Sequence, residues 1–276
     1  MSRTTRFHQV VWAFMVKDAK VAFSYRLQAF FQLTGIFSVA VTFFFLSLML
    51  KKVEGGIAAL GSYGGSYFGF AIVGIAVSVY MDASLRTFAN SIRTAQMTGT
   101  FEAMLMTRAS ISSLMAGSSA YTLLLSWLRA GAMVGIGVAL FDVQIHLAQV
   151  GALLLVFALT ALATLALGVF SAGFIVLFNK GDPLTMAISG LSWLLSGVIY
   201  PRQILPIWVQ RVADLLPMTH ALEATRLLLL GGSDLAGAGR SLIGLAIFSA
   251  IALPVSITWF VWAVDRARSD GSLARY

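Results

Sequence analysis

Three ionisable residues recur at every third position in the last quarter of the chain: His220, Glu223 and Arg226. On a helix, residues three apart are neighbours, so this spacing places the three side chains along one slowly drifting face. Such a face could meet lipid headgroups or line the exit of a path across a membrane. Two interpretations stay open, a polar transport surface and a face that is solvated or internally paired.

A single arginine, Arg129, lies inside a long apolar stretch, 13 residues before Asp142. At about 1.5 Å per helical residue, it lies ~20 Å from the turn that begins there. A charge at this depth in a membrane costs at least ~2.5 kcal/mol and indicates a function by default. We expect Arg129 to pair with a carboxylate such as Glu223, either to hold helices together or to take part in substrate contact.

Motifs of known catalytic chemistry are missing from the chain. It contains no G-x-x-x-x-G-K-[ST], no H-E-x-x-H, no G-x-S-x-G and no cysteine, and its three histidines are far apart in sequence. The sequence therefore predicts no catalytic residues and no metal site. Any energy that the protein uses must then come from a partner.

The composition is that of a membrane protein. Of the 276 residues, 59% are hydrophobic and 11% are charged, whereas soluble domains carry about 25% charged residues. Several apolar runs exceed the ~18 residues typical of a membrane-spanning helix. The net charge of +8 comes from Lys and Arg at predicted helix ends, which favours contacts with anionic lipids over binding of nucleic acid.

The hydrophobic pattern predicts an all-α polytopic membrane protein whose single transmembrane domain covers residues 1–276. Twelve of the 19 Lys and Arg residues fall on the side of both termini, so the positive-inside rule predicts cytoplasmic termini. Gly65 and Gly69, spaced as G-x-x-x-G, predict a close helix approach. The predicted elements are an interfacial helix at 4–26 and six spans at 27–50, 62–81, 111–141, 147–178, 184–200 and 242–264.

Prolines break the apolar chain between the fifth and sixth predicted spans. Pro201, Pro206 and Pro217 divide this stretch into pieces that are shorter than the ~20 residues a spanning helix needs. We predict a re-entrant segment at 201–232 on the outer face, which ends in a left-handed cap at Gly231-Gly232.

A second informative stretch lies in the polar region 82–110, which we expect between the second and third spans. Its residues Met97, Phe101, Met104 and Leu105 follow helical spacing and form one apolar face. The pattern predicts a helix at 92–108. It suits either the membrane surface or a groove of a soluble partner.

Two stretches resemble ABC-2 type permeases. QMTGTFEAMLMTR at 96–108 is similar to the family's stretch at its ATPase contact, although Arg108 stands where many relatives have proline. LLPMTHALEATRLLLLGG at 215–232 is similar to the family's C-terminal signature. The resemblance covers nearly the whole chain.

The resemblance implies a six-helix subunit in the bacterial inner membrane that pairs with a second permease subunit and with separate ABC ATPase subunits. Those ATPase subunits would bind ATP and Mg, and a substrate would move outward. The low charge and the large apolar residues of the predicted spans favour an amphipathic substrate: a drug, a lipid or a lipid-linked saccharide. The resemblance assigns ATPase coupling to Met97, Gly99, Thr100, Phe101, Glu102, Met104, Leu105, Arg108, Lys180 and Asp182. It assigns the outer gate to Tyr200, Pro201, Leu205, Pro206, Leu216, Pro217, Glu223 and Arg226.

An ATP-independent membrane protein, either a secondary carrier or an assembly factor, stays open as the alternative. Ion-coupled carriers usually bury several ionisable groups. In this sequence, we expect essentially one within the membrane, Arg129.

Overall fold

The computed structural model describes residues 12–17, 20, 26–51, 58–63, 65–99, 111–178 and 183–269. Within these ranges all regular secondary structure is helical, in agreement with the predicted all-α class. Residues 12–17, inside the predicted interfacial helix, are helical. The α-helices that follow are α1 (Arg26–Lys51), α2 (Tyr67–Met97), α3 (Ile111–Phe141), α4 (Val150–Phe178), α5 (Pro183–Leu195), α6 (Ile207–Ala213), α7 (Pro217–Leu229) and α8 (Gly239–Ser269), with short 3-10 helices at Ala58–Tyr63 and Arg202–Ile204.

Four helices in the described part are long and apolar enough to cross a membrane. They are α2, the segment Ala120–Phe141 of α3, α4 and α8. Two shorter apolar helices are Thr34–Leu50 within α1 and the whole of α5. These helices indicate a multi-pass membrane protein, and each of the six predicted spans overlaps one of them.

The helices α4 and α8 form the largest interface of the fold and run parallel. Near their beginnings, the Ser249 hydroxyl donates to the Leu159 carbonyl at 3.3 Å. Further along, Trp259 Nε1 donates to the Phe170 carbonyl at 3.1 Å. Because both contacts advance in the same direction along the two helices, α4 and α8 begin at the same end of the bundle.

The helix α2 runs parallel to α4 and touches its backbone. The Tyr80 hydroxyl donates to the Phe157 carbonyl at 3.0 Å. Further along both helices, the backbone of Leu85 packs against Gly168. A Cβ on Gly168 would overlap the Leu85 carbonyl oxygen. Glycine is therefore required at this position if the two helices are to approach so closely.

The helices α1 and α3 run in the opposite direction. Phe44 near the end of α1 and Phe141 at the end of α3 both pack against Phe68, at the start of α2. The ring centroids of Phe44 and Phe141 lie 4.6 Å apart. These aromatic contacts join the three helices at one end of the bundle, which we call the Tyr67 end.

The close approach predicted at Gly65 and Gly69 occurs elsewhere. Gly65 precedes α2 in a turn with φ of 69°, and a Cβ on Gly69 would meet its nearest neighbour at an ordinary 3.4 Å. The tight contact on this helix is at Gly74, where a Cβ would overlap the Val198 carbonyl. The G-x-x-x-G spacing therefore predicted a close helix approach correctly, but the approach is at Gly74 and not at Gly65 or Gly69.

The helix α2 continues well past its predicted end at residue 81. It passes through Asp82, which we placed outside the membrane, and ends at Met97. Thr98 caps the helix, and Gly99 follows with φ of 67°. No glycine or proline interrupts residues 75–98, so the polar composition of this stretch gave no physical reason for the helix to stop.

The second half of α2 is held by its own apolar face. Phe88, Ile92 and Ala95 are buried in a cluster with residues of α4 and α8, among them Val176 and Phe260. Their spacing of three and four residues is that of a helix face. The predicted polar region is thus, as far as Met97, an amphipathic extension of the second span.

The chain between α5 and α8, residues 196–238, is called the broken segment. It begins where Gly197 takes φ of 71° after α5, earlier than the predicted end of that span at residue 200. Pro206 precedes α6 and Pro217 occupies the first turn of α7. Gly232 ends the second piece with φ of 61°, which matches the predicted left-handed cap.

Candidate functional site

A cavity of about 600 Å³ lies between α2, α3, α4 and α5, with the first residues of α7 at its edge. Its volume is within the ~300–1,000 Å³ range of small-molecule sites. Its lining includes three ionisable side chains, Asp82, Arg86 and Arg129. The cavity therefore brings charges from two helices into one apolar setting.

Asp82 is the best satisfied of these three charges. Arg86 Nε lies 2.9 Å from each carboxylate oxygen of Asp82, one helical turn away. The Ser189 hydroxyl of α5 donates to the same carboxylate. This contact ties α5 to α2 beside the cavity.

Asp82 lies at the midpoint of α2, fifteen residues from either end. That position is about 22 Å from the Tyr67 end, a depth similar to that of Arg129. Sequence reasoning missed it because the predicted second span ended one residue earlier. The i, i+4 spacing of Asp82 and Arg86, typical of a helical ion pair, is the signal that would have found it.

The predicted pair of Arg129 with Glu223 is wrong. Arg129 faces the cavity, whereas Glu223 lines a separate small pocket with Tyr63 and Arg226 at the Tyr67 end. Among the side chains that the structure describes, Arg129 forms neither an ion pair nor a hydrogen bond. Positions so far apart in sequence carried no information about which cavity each side chain faces.

Arg226 is fully buried and bonded to backbone carbonyls. Its guanidinium donates to the carbonyl of Phe70 in α2 at 3.2 and 3.3 Å, to Gly197 at 2.9 Å and to Val198 at 2.5 Å. It also lies 3.4 Å from the centroid of the Phe70 ring. For Arg226, the internally paired interpretation is therefore the one that holds.

These bonds attach the broken segment to α2. The Tyr67 hydroxyl adds a bond to the Ile199 carbonyl at 3.0 Å, and Gly74 leaves room for Val198 and Arg226. Three consecutive carbonyls after α5 are thus satisfied by side chains. Irregular backbone can lie at membrane depth only when its polar groups are paired in this way.

An ion pair and hydrogen bonds also join residues within 202–220 of the broken segment to one another. Arg202 forms an ion pair with Asp214, and His220 Nε2 donates to the Asp214 carbonyl at 2.9 Å. The Thr219 hydroxyl donates to the Ala213 carbonyl at 2.6 Å. These bonds make residues 202–220 one connected unit.

Most of the residues predicted to form an outer gate lie at or beside the ends of the short helices in the broken segment. Pro201 and Leu205 flank the short 3-10 helix, Pro206 precedes α6, and Leu216 and Pro217 begin α7. The Tyr200 hydroxyl donates to the Leu194 carbonyl. Of the predicted gate residues, Pro201, Glu223 and Arg226 line one small pocket, and their role as a gate stays a prediction.

The predicted ATPase-coupling residues are described only in part. Met97 ends α2 and is 67% exposed, and Gly99 forms the turn after it. The predicted helix at 92–108 is therefore interrupted at Thr98 and Gly99, and its first residues belong to α2. The remaining coupling residues lie outside the described part: Thr100, Phe101, Glu102, Met104, Leu105, Arg108, Lys180 and Asp182.

Comparison with known families decides the assignment. Residues 9–230 match the model of the family described as ABC-2 type transporter, which is well over half of the chain. The chain belongs to the ABC-2 type transporter family. Among curated proteins, none matches it.

Membership in the ABC-2 type transporter family confirms the predicted resemblance. The match contains α1 to α7 and both motif stretches up to residue 230, while α8 lies beyond it. This family domain is the membrane-embedded permease, which generally lacks an ATPase site and works with ABC ATPase subunits.

Proposed function

We propose that this protein is the membrane subunit of an ABC exporter that moves an amphipathic substrate outward. The substrate class is a drug, a lipid or a lipid-linked saccharide. The observation that carries the proposal is the family match over residues 9–230. The central cavity, with apolar walls and a few charges, supports a substrate that has both characters.

We propose six passes through a bacterial inner membrane with both termini in the cytoplasm. The directions of the helices support this topology, because α1 and α3 run opposite to α2, α4 and α8. The thirteen residues of α5 would complete their pass through the broken segment, which would re-enter from the outer face. The excess of Lys and Arg on the side of the termini sets the orientation.

Separate ATPase subunits would bind ATP and Mg and dock against the stretch 96–108, with Lys180 and Asp182 nearby. This stretch includes the end of α2, whose middle carries two of the three charges that line the cavity, Asp82 and Arg86. One continuous helix would therefore connect the ATPase contact with the cavity wall. A second permease subunit, identical or different, would complete the complex.

Purification of the tagged protein from its host in mild detergent tests this function. We expect a P-loop ATPase to co-purify in stoichiometric amount, and Glu102→Arg to remove it, because reversed charge opposes docking. Glu54→Arg, the same change at a position between α1 and α2 in the sequence, is the matched control. Folded protein that never carries an ATPase would contradict the proposal.

An ion-coupled carrier is the second candidate, since Asp82, Arg86 and Arg129 line one cavity where the sequence suggested a single intramembrane charge. The two functions differ in their energy source. Substrate flux in vesicles that follows an imposed proton gradient without ATP would favour the carrier. Flux that needs ATP and the co-purified ATPase would exclude it.

A further inference from the structure

The cavity between α2, α3, α4 and α5 contains one cation, Arg129, that has no carboxylate partner among the described residues. Arg129 extends into it from α3 and is half-buried. Among the described residues, no carboxylate lies within ion-pairing distance of its guanidinium. A cation at this depth without a counter-charge is costly and indicates a ligand that supplies one.

The nearby acid does not neutralise Arg129. The two oxygens of Asp82 are occupied by Arg86 Nε at 2.9 Å each, and the Ser189 hydroxyl donates to one of them as well. Asp82 and Arg86 therefore cancel each other's charge. Among the lining residues that the structure describes, the net charge is therefore that of Arg129, one positive charge.

The remaining walls of the cavity are mainly apolar. Val79, Leu167, Met186 and Trp193 contribute side chains from three helices. Met186 is 65% exposed and Trp193 is 42% exposed, so the α5 side of the cavity is accessible. A ligand with a hydrocarbon part could contact these walls while its polar group reached Arg129.

We infer that this cavity binds the anionic group of an amphipathic molecule, a phosphate or a carboxylate, with Arg129 as its charge partner. Guanidinium groups match the geometry of both anions through paired hydrogen bonds. The inference rests on the proposed function and narrows its substrate class to anionic amphiphiles. It also replaces the structural pairing with Glu223 that the sequence suggested.

Binding of a matched series of short amphiphiles to the full chain in phosphatidylcholine nanodiscs tests the inference. The probes are octyl phosphate, octyl glucoside and octylammonium, which share one hydrocarbon tail, with inorganic phosphate as the tail-free arm. Calorimetric titration should show octyl phosphate binding at least about tenfold more tightly than the other two amphiphiles. Inorganic phosphate should bind more weakly than octyl phosphate, because it lacks the apolar contacts.

Variants locate the binding. Arg129→Gln should reduce the affinity for octyl phosphate to that for octyl glucoside, and Arg129→Lys should keep part of the preference. Arg211→Gln removes an exposed arginine outside the cavity and should change nothing. The comparison of ligands on the unmodified protein does not depend on whether any variant folds.

The outcomes separate this inference from the proposed function. Equal affinity for the three amphiphiles, equal binding of inorganic phosphate, or an unchanged preference in folded Arg129→Gln would overturn it. Any of these results with a co-purifying ATPase leaves the transporter assignment standing. An anion preference lost in Arg129→Gln, in a protein without an ATPase, supports the site and contradicts the ATP-driven function.

Discussion

Arg226 donates hydrogen bonds to backbone carbonyls just after α5, where the helical hydrogen-bond pattern has ended. The carbonyls of Gly197 and Val198 follow α5, and no later amide of that helix can reach them. An unpaired carbonyl in an apolar setting costs several kcal/mol. One guanidinium satisfies both and also bonds Phe70 of α2.

We expect Arg226→Gln to destabilise the protein, because one amide cannot reach three carbonyls. The midpoint of thermal unfolding in detergent should fall by about 5–10 °C. Arg226→Lys should also lower it, since an ammonium lacks the planar fork of donors. Arg211→Gln, an exposed arginine-to-glutamine change in α6, is the control, and an equal effect of both glutamine variants would refute the role of Arg226.

At the scale of residues, the sequence identified the important charged side chains better than it identified the residues that they contact. The spacing of His220, Glu223 and Arg226 suggested one polar face, and two of the three are bonded within the fold. The charge of Arg129 was found, but its pairing with Glu223 was wrong. Which side chains meet depends on helix packing, and a single sequence does not contain that information.

At the scale of elements, the contact of α2 with α4 depends on the absence of a side chain. The carbonyl oxygen of Leu85 lies where a Cβ on Gly168 would be. This close approach lies beside the cavity, which Leu85 and Leu167 line. A side chain at residue 168 would require α2 and α4 to move apart.

We expect Gly168→Ala to push α2 and α4 apart and to cost about 1–3 kcal/mol. The unfolding midpoint, followed by fluorescence-detected gel filtration after heating, should fall by several degrees. Gly135→Ala in α3, where a Cβ would meet nothing within 4 Å, should leave it unchanged or slightly higher. A similar loss in both variants would mean that the close approach is unimportant.

The extents of the helices were predicted well where the sequence carries a stop signal. The predicted end of the third span at residue 141 agrees with the end of α3, and Asp142 follows it with φ of 54°. The end of α2 was missed because polar residues were taken as a loop. Composition indicates exposure, whereas glycine and proline act directly on the backbone conformation of a helix.

At the scale of the whole molecule, the helix directions determine where the chain emerges. The packing places Arg26 of α1 and Ser269 of α8 at the end opposite Tyr67. The broken segment lies at the Tyr67 end, where Arg226 joins it to α2. The proposed orientation puts the first of these ends in the cytoplasm.

The absence of cysteine makes that orientation directly measurable. We expect Asp234→Cys to react with a membrane-impermeant maleimide in intact cells, and Ser269→Cys to react only after permeabilisation. Both residues are exposed and lie at opposite ends of α8: Asp234 precedes the helix, and Ser269 is its last residue. The unmodified chain is the background control, and the reverse pattern would invert the topology.

The shortness of α5 has a consequence for the lipid beside it. Its thirteen residues extend about 20 Å, against a hydrocarbon thickness of about 30 Å. Met186, Leu191 and Leu194 are exposed on this helix, and the backbone beyond it turns away at Gly197. Acyl chains that meet this face encounter a hydrophobic mismatch. The bilayer must thin, or its lipids must tilt, to match the short helix. Where lipid meets this face, the bilayer would be deformed next to the open side of the cavity, which would lower the work for a lipid to leave its leaflet.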